Sequence, residues 1–275
     1  MRAPSAEGLV LSRRLLLGAA FSSSGWLWGC AAGRGPDSVR RALAPTGELR
    51  VAVYPGSPTS LVEEAPEDRM RGVSVDLGRL LASRLGVRAR IVVFPRLAEA
   101  LAAVQHGEAD FTITNMTAQR AQVVEFAAPL VDLELGVLVP ASSRIASTDS
   151  LEQPDAIIGI SQGSSSERVL GGRLTLSRLR SFPTLDAAAL ALNRGEVDAF
   201  ATNKGILFEL AKRVPGSRVL EGRWGSEHLA PAIPKGRGAA GLAYLEQFTQ
   251  DVRTGGELEH ATNRAGLRGT VPPSP

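Results

Sequence analysis

The sequence predicts an α/β protein of two similar lobes, and two observations support that prediction. Segments beginning at Leu97 and Leu185 share one plan: an Ala/Leu-rich run, a glycine, an aspartate 13 residues after the leucine, a short apolar stretch and a Thr-Asn pair. Strand-like and helix-like patterns also alternate along the chain, as in parallel sheets with helical crossovers. A separation of 88 residues is too long for a solenoid repeat. Two lobes on one plan are therefore predicted, with chance convergence of helix–glycine–strand units as the alternative.

The first lobe is predicted to begin with a βαβαβ run. Residues 49–54 form an apolar strand, and apolar positions from Val73 onward follow helical spacing until Gly86 ends the helix. A strand over residues 88–94, a helix from Leu97 and a strand over residues 111–114 follow. Open α/β sheets bind ligands beyond the carboxyl ends of their strands, so the polar strand ends are expected to face a cleft.

The second lobe is predicted to lie between two crossover strands. A long apolar strand over residues 133–140 leads into it, and a strand over residues 229–234 leads back. Between them we predict strands over 156–161 and 197–201, helices from Ser164 and Leu185, and a helix over 204–213. Helices over 239–253 and 257–265 should pack on the first lobe. Lobe one is assigned to residues 47–135 and 235–270, lobe two to residues 136–234, and residues 271–275 to a disordered tail.

The N-terminus has the pattern of an export signal. Arg13 and Arg14 precede a short apolar stretch, and residues 27–30, Leu-Trp-Gly-Cys, resemble a bacterial lipobox. Residues 1–29 are therefore interpreted as a signal peptide, Cys30 as the lipidated residue and residues 30–46 as the anchor and a flexible tether. The paired arginines fit either a twin-arginine signal or a general secretory signal.

Composition excludes several classes of function. Removing Arg2, Arg13, Arg14 and Glu7 with the signal from the 31 basic and 28 acidic residues leaves 28 and 27, a net charge of +1. That balance gives no electrostatic footprint for nucleic acid. Cys30 is the only cysteine, so no internal disulfide is expected. The three histidines are scattered along the sequence, and neither a metal site nor a cofactor is expected.

Four predicted strand ends are rich in small polar residues. They are residues 55–60, 114–120, 162–166 and 202–204. The third contains a glycine turn followed by Ser164 and Glu167, a capping-box pattern whose free N–H groups suit an anion. In the second, Arg120 lies on the first turn of a helix, where a guanidinium can hold a carboxylate through two parallel hydrogen bonds. Asp110 and Asp198 lie at the opposite ends of their strands, so a structural role is predicted for both.

The order of several motifs resembles a known family. Gly47 to Val53, Gly72 to Leu77, the Leu97 helix with Gly-Glu-Ala-Asp, Thr117 to Arg120 and Phe126 to Pro129 are similar to family 3 extracellular solute-binding proteins of ABC importers. The resemblance implies the two-lobed, type II periplasmic-binding-protein clamshell with two crossover strands. It also implies that Arg120 holds the ligand α-carboxylate and that hydroxyl groups on both lobes supply hydrogen bonds. The residues assigned to ligand binding are Tyr54, Ser57, Thr114, Asn115, Thr117, Arg120, Ser164, Ser165 and Asn203.

One position departs from the pattern that the resemblance implies. Amino-acid binders of this kind usually carry an acidic residue after the second-lobe strand, where this chain has Asn203. Two more positions are altered: one near Ser57, which is often aromatic in that family, and Leu97, which is often Phe. A neutral amide forfeits part of a charge-assisted bond to an ammonium group. The sequence-based hypothesis is therefore a small solute that carries a carboxylate, either an amino acid or a related compound, and whether Asn203 excludes ordinary amino acids stays open.

The resemblance implies a periplasmic protein that closes on a small solute and delivers it to an ABC permease in the inner membrane. The lipobox pattern adds a lipid anchor at Cys30, and a monomer is expected. Hinge closure at the crossovers is the expected mechanism. Two alternatives stay open. An enzyme on the same fold, such as a cyclohexadienyl-dehydratase-like protein, would need a general acid in the cleft, and the sequence places none there. A sensor that presents ligand to a membrane receptor would share the binding chemistry.

Overall fold

The computed structural model describes residues 37–273, which alternate between helices and strands. The helices are α1 (Asp37–Leu43), α2 (Val73–Leu85), α3 (Leu97–Gln105), α4 (Ala118–Ala121), α5 (Ser165–Gly171), α6 (Leu185–Asn193), α7 (Lys204–Ala211), α8 (Gly238–Gly255) and α9 (Glu257–Ala265). The strands are β1 (Glu48–Val53), β2 (Arg88–Val93), β3 (Thr112–Asn115), β4 (Val124–Phe126), β5 (Val131–Val139), β6 (Ile157–Ser161), β7 (Arg178–Phe182), β8 (Ala199–Asn203), β9 (Arg218–Val219), β10 (Gly225–Pro234) and β11 (Thr270–Val271).

Two long strands, β5 and β10, connect the two lobes. They pair antiparallel to each other, β10 continues onto β3 and β4 in lobe one, and β5 continues onto β8 in lobe two. The parallel strands β6, β7 and β8 complete the sheet of lobe two. In lobe one, β1 and β2 are parallel, and the backbone of Phe111 joins β1 ahead of β3. This is the two-lobed α/β architecture that the sequence predicts.

Each lobe has its own apolar core. In lobe one, α2, α8 and α9 cover the sheet, with Leu81, Phe111 and Phe248 fully buried. In lobe two, one cluster centred on Val137 and Ile158 and another centred on Phe200 and Leu207 pack on the two faces of the sheet. At about 1.5–3 kcal/mol for each large side chain, this burial is the main favourable contribution to folding.

The internal repeat is a repeat in structure. Helices α3 and α6 are both nine residues long, and each ends before a glycine with positive φ, Gly107 or Gly195. The aspartate of each copy then accepts a backbone N–H from the neighbouring parallel strand. Asp110 Oδ2 is 3.1 Å from the nitrogen of Arg50, and Asp198 Oδ2 is 2.8 Å from the nitrogen of Ile157. The structural role predicted for both aspartates is confirmed.

Several parts of the chain differ from the sequence-based prediction. Residues 37–46, predicted to be tether, contain α1, which packs on α8 and buries Val39 and Leu43. The predicted tail begins inside β11, whose Thr270 and Val271 pair with β5. Strands β4 and β7 were missed because both are short and half-exposed, which weakens the apolar alternation. The predicted signal peptide and Cys30 lie outside the described residues.

No helix within residues 37–273 has the length and apolar character needed to cross a membrane.

Candidate functional site

The two lobes meet around a small enclosed cavity. Its volume of about 30 Å³ is room for water and not for a larger solute. The side chains and backbone that line it come from both lobes: Tyr54, Thr59, Leu97, Ile113, Thr114, Asn115, Ser161, Ser164, Ser165, Leu185, Thr202, Asn203 and Ile206. The lobes must therefore separate to admit a solute.

Close contacts between the lobes define this closed arrangement. The amide nitrogen of Asn115 in lobe one donates to the Ser165 hydroxyl in lobe two over 3.2 Å. At the mouth of the cleft, a Cβ atom added to Gly56 would lie 2.8 Å from the Leu185 side chain. Gly56 also has φ of +86°, a conformation that residues other than glycine rarely adopt. The backbone conformation thus favours glycine at this point, and a larger residue would need the Leu185 side chain to shift in the closed arrangement.

Arg120 lies buried behind the lobe-one wall of the cavity. The Thr117 hydroxyl caps α4 by accepting the backbone N–H of Arg120, which orients the side chain inward. Its Nη1 donates to Thr114 Oγ1 at 2.8 Å and to the Asn115 carbonyl at 3.2 Å, while Nη2 donates to the Gly163 carbonyl of lobe two at 3.3 Å. Within the described residues this guanidinium forms no ion pair, and its partners are neutral oxygens.

Asn203 has its amide fixed by the helix that it caps. Its Oδ1 accepts the backbone N–H of Ile206 at 3.1 Å, so this oxygen serves as the N-cap of α7. Its Nδ2 points the other way and donates to Glu227 Oε1 at 3.3 Å. Asn203 therefore presents a donor to its surroundings and not the free acceptor that an ammonium group would need.

Glu227 is a buried carboxylate beside this cavity that the sequence analysis missed. It lies on β10, opposite Leu133 of β5, and is 8% exposed. The Ser165 hydroxyl donates to its Oε2 at 2.5 Å, and Asn203 binds its Oε1. The sequence does carry a signal for this residue: side chains alternate between the two faces of β10, and Glu227 lies two residues before the buried Leu229. The predicted crossover began two residues too late to include this position.

Burial shifts the pKa values of three groups at this site. Burial raises the pKa of the Glu227 carboxyl above its ordinary value, while the hydrogen bond from Ser165 and the charge of Arg120 act in the opposite direction. Burial lowers the pKa of the Arg120 guanidinium, and the charge of Glu227 opposes that shift. Burial also raises the pKa of the Tyr54 hydroxyl. Arg120 and Glu227 thus act on each other electrostatically within one buried site.

The other predicted site residues are divided between the cavity wall and its support. Tyr54, Thr114, Asn115, Ser164, Ser165 and Asn203 line the cavity. Ser57 is fully buried and forms a 2.9 Å hydrogen bond with Thr59, which lines the cavity in its place. Thr117 supports Arg120, and Ser164 caps α5 by accepting the Glu167 N–H. Ser161, which also lines the cavity, has a buried hydroxyl oxygen with no hydrogen-bond partner within the described residues.

Within residues 37–273, no group of three or more His, Cys, Asp or Glu residues is placed to hold a metal ion.

A family model identifies the class of protein that this fold and cleft define. Residues 49–266 match the bacterial extracellular solute-binding proteins, family 3, and the chain belongs to that family. The family assignment that the sequence motifs suggest is confirmed.

The curated relatives include both enzymes and a binding protein. The chain is 26% and 31% identical to the membrane-bound lytic murein transglycosylases F of Idiomarina loihiensis and Maricaulis maris, over 70% and 72% of its length. It spans 44% of the length of each of those two relatives. It is also 23% identical to a "Probable histidine-binding protein" of Neisseria gonorrhoeae, covering 88% of this chain and 92% of that protein.

Solved structures share the fold. An amino acid ABC transporter substrate-binding protein of Streptococcus pneumoniae, bound to L-arginine, aligns with a TM-score of 0.71 at 22% identity, covering 83% of this chain and 100% of that one. An ancestral amino-acid-binding protein described as a precursor of cyclohexadienyl dehydratase aligns with a TM-score of 0.69 at 23% identity, covering 80% and 95%. These likenesses establish the two-lobed type II fold for this chain.

Proposed function

We propose that this protein binds a small carboxylate-bearing solute of the amino-acid class by closing its lobes, and delivers it to the permease of an ABC importer. The observation that supports this most directly is Arg120, a buried guanidinium whose described partners are all neutral oxygens. A carboxylate would give this cation a charge-assisted, two-pronged partner that no carbonyl can match. Because Arg120 reaches Gly163 of the other lobe, a ligand bound there would also favour closure.

We also propose that the protein is exported, anchored to the membrane by a lipid and partnered with a permease. The lipobox-like pattern at Cys30 supports a lipid anchor in the periplasm, and the chain would act as a monomer that meets the permease in the inner membrane. Neighbours described as substrate-binding proteins of amino acid ABC transporters support that partner.

Enzymatic activity is the second candidate function, and Glu227 is the observation that favours it. A buried carboxyl with a raised pKa in a cleft is the kind of group that serves as a general acid. The transglycosylase relatives and the dehydratase precursor are enzymes or relatives of enzymes. Chemical change of the bound ligand would distinguish this function from binding.

A thermal-shift screen of the purified protein against the twenty L-amino acids, dicarboxylates and other small anions tests the proposal. A ligand at 100 times its Kd should stabilise the fold by about 2.7 kcal/mol, or roughly 5–10 °C in Tm for a chain of this size. The hit should be recovered unchanged after prolonged incubation, as judged by mass spectrometry.

The variant Arg120→Ala should weaken binding of the hit at least about 30-fold, because it removes one partner of a buried charge pair. Arg120→Lys should recover only part of the loss, since an ammonium lacks the planar fork. Arg168→Ala removes an exposed cation that acts electrostatically on Arg120 and is the matched control. Full affinity in Arg120→Ala, or conversion of the hit to a product, would refute the proposal.

A further inference from the structure

We propose that Glu227 is the anionic counterpart of Arg120 and receives an ammonium group of the ligand, so that the cleft selects a small zwitterion over the same acid without an amine. This inference rests on the proposed function, because it concerns the same cleft. It assigns to Glu227 the role that the sequence could not assign to Asn203.

The carboxylate of Glu227 has unused capacity to accept hydrogen bonds. A carboxylate offers about four lone-pair positions. One is used on Oε2 by the Ser165 hydroxyl, and one on Oε1 by the Asn203 amide. All of these donors are neutral, and within residues 37–273 no lysine, arginine or histidine forms an ion pair with Glu227. A buried carboxylate without a cationic partner is costly, and an incoming cation would remove that cost.

Neutral groups contributed by opposite lobes lie where a zwitterion would place its charges. On one side, the Gly163 carbonyl of lobe two accepts from Arg120 Nη2, in the place of a ligand carboxylate. On the other side, the Asn115 amide of lobe one donates to Ser165 Oγ, which itself donates to Glu227 Oε2, and so Asn115 lies in the place of a ligand ammonium. Opening of the lobes would separate Gly163 from Arg120 and Asn115 from Ser165. The open cleft would then expose a guanidinium and a carboxylate to one solute.

The side chain of Asn203 fits this division of roles. Because its oxygen caps α7, only its amide N–H groups face Glu227. A second carboxylate at position 203 would lie beside the first, and like charges at that distance repel strongly in a buried site. The neutral amide at 203 is therefore what a charged Glu227 requires of its neighbour.

Calorimetric titration of L-amino acids against their 2-hydroxy acids tests the assignment. The probes are each L-amino acid that stabilises the wild-type protein and the 2-hydroxy acid with the same side chain, which keeps the carboxylate and loses the amine. The proteins are wild type, Glu227→Gln and Glu134→Gln. Glu134 lies on β5, binds Lys204 at 2.7 Å and serves as the matched carboxylate control.

Wild-type protein should bind the amino acid more tightly than the hydroxy acid. Glu227→Gln should lower the affinity for the amino acid by about 10- to 100-fold, the scale of a charge-assisted hydrogen bond, and leave the affinity for the hydroxy acid unchanged or higher. Glu134→Gln should bind both ligands as wild type does. Retained binding of the hydroxy acid also shows that Glu227→Gln is folded.

Moving the carboxylate provides a rescue. The double variant Asn203→Asp/Glu227→Gln returns one carboxylate to the same corner of the cleft, since Asn203 Nδ2 lies 3.3 Å from Glu227 Oε1. It should bind the amino acid at least several-fold better than Glu227→Gln alone. A double variant that binds no better contradicts the assignment.

Three further results would overturn the inference. Equal affinities of wild type for amino acid and hydroxy acid, or undiminished amino-acid binding in Glu227→Gln, would overturn it while leaving the proposed function intact. Equal loss of both ligands in Glu227→Gln would make the residue a latch between the lobes. Failure of every amino acid and every hydroxy acid to bind wild type would refute the proposed function, and this inference with it.

Discussion

Single residues in the cleft differ in how far the sequence predicts them. Arg120 could be located from the sequence because it lies on the first turn of a helix that directly follows the polar end of a strand. Glu227 could not be placed in the cleft, because its burial depends on contacts with Ser165 and Asn203, 62 and 24 residues away in the chain. Asn203 could be located but not oriented, since only the structure shows that its oxygen caps α7.

The raised pKa of Glu227 predicts how the stability of the ligand-free protein depends on pH. Burial is the main cause of the shift, and the ordinary value is 4.5. The folded protein therefore holds this proton more tightly than the unfolded chain does. The associated stability is fully present below pH 4.5 and is lost as the pH rises through the folded-state pKa.

Thermal unfolding of wild type and Glu227→Gln across pH 4 to pH 8 checks this expectation. Because glutamine does not titrate, the Tm of wild type should fall relative to that of the variant as the pH rises. Parallel curves for the two proteins over the whole range would show that Glu227 has no raised pKa in the folded state.

Among the helices and strands, the sequence predicted the features that neighbouring residues determine, such as where a helix begins and ends. Helix α2 ends at Gly86, which adopts the left-handed conformation that the glycine stop predicts. Helices α3 and α6 begin at Leu97 and Leu185 as predicted. Helix α1 was missed because the sequence around it is rich in Gly, Pro and Arg, and its order depends on packing against α8. The antiparallel return of β10 onto β3 likewise depends on distant pairing.

Replacing the aspartate by asparagine should lower the free energy of unfolding by different amounts in the two copies of the repeat. Asp110 is fully buried and binds Arg50 Nε at 2.7 Å and Arg237 Nη2 at 2.7 Å, whereas within the described residues Asp198 forms no ion pair. Asp110→Asn leaves two arginines without their buried partner and should cost about 3 kcal/mol or more. Asp198→Asn weakens one hydrogen bond to the Ile157 N–H and should cost about 1 kcal/mol.

Chemical denaturation of both aspartate variants measures this difference, and ligand affinity measured below the unfolding transition serves as the control. Both variants should keep wild-type affinity, since neither aspartate contacts the cavity. Equal destabilisation by the two substitutions would show that the arginine pairs at Asp110 contribute nothing net to stability.

The whole molecule consists of two lobes, each with its own core, joined by the paired crossover strands β5 and β10. The Trp224 indole donates to the Gly136 carbonyl of β5 at 2.8 Å, and His228 Nδ1 lies 2.6 Å from Asp132 Oδ1 across the same pair of strands. The cleft between the cores is closed over Arg120 and Glu227, so the proposed function requires the lobes to open before a solute enters and to close on it afterwards. Under the proposed function, ligand contacts on both lobes would shift the protein from the open to the closed conformation.

The most direct measurement is a crystal structure of the complex with the amino acid that the thermal-shift screen identifies. We expect closed lobes, with the ligand carboxylate on the Arg120 guanidinium and the ligand ammonium within hydrogen-bond distance of Glu227. A ligand bound outside the cleft, or one whose carboxylate lies away from Arg120, would contradict it.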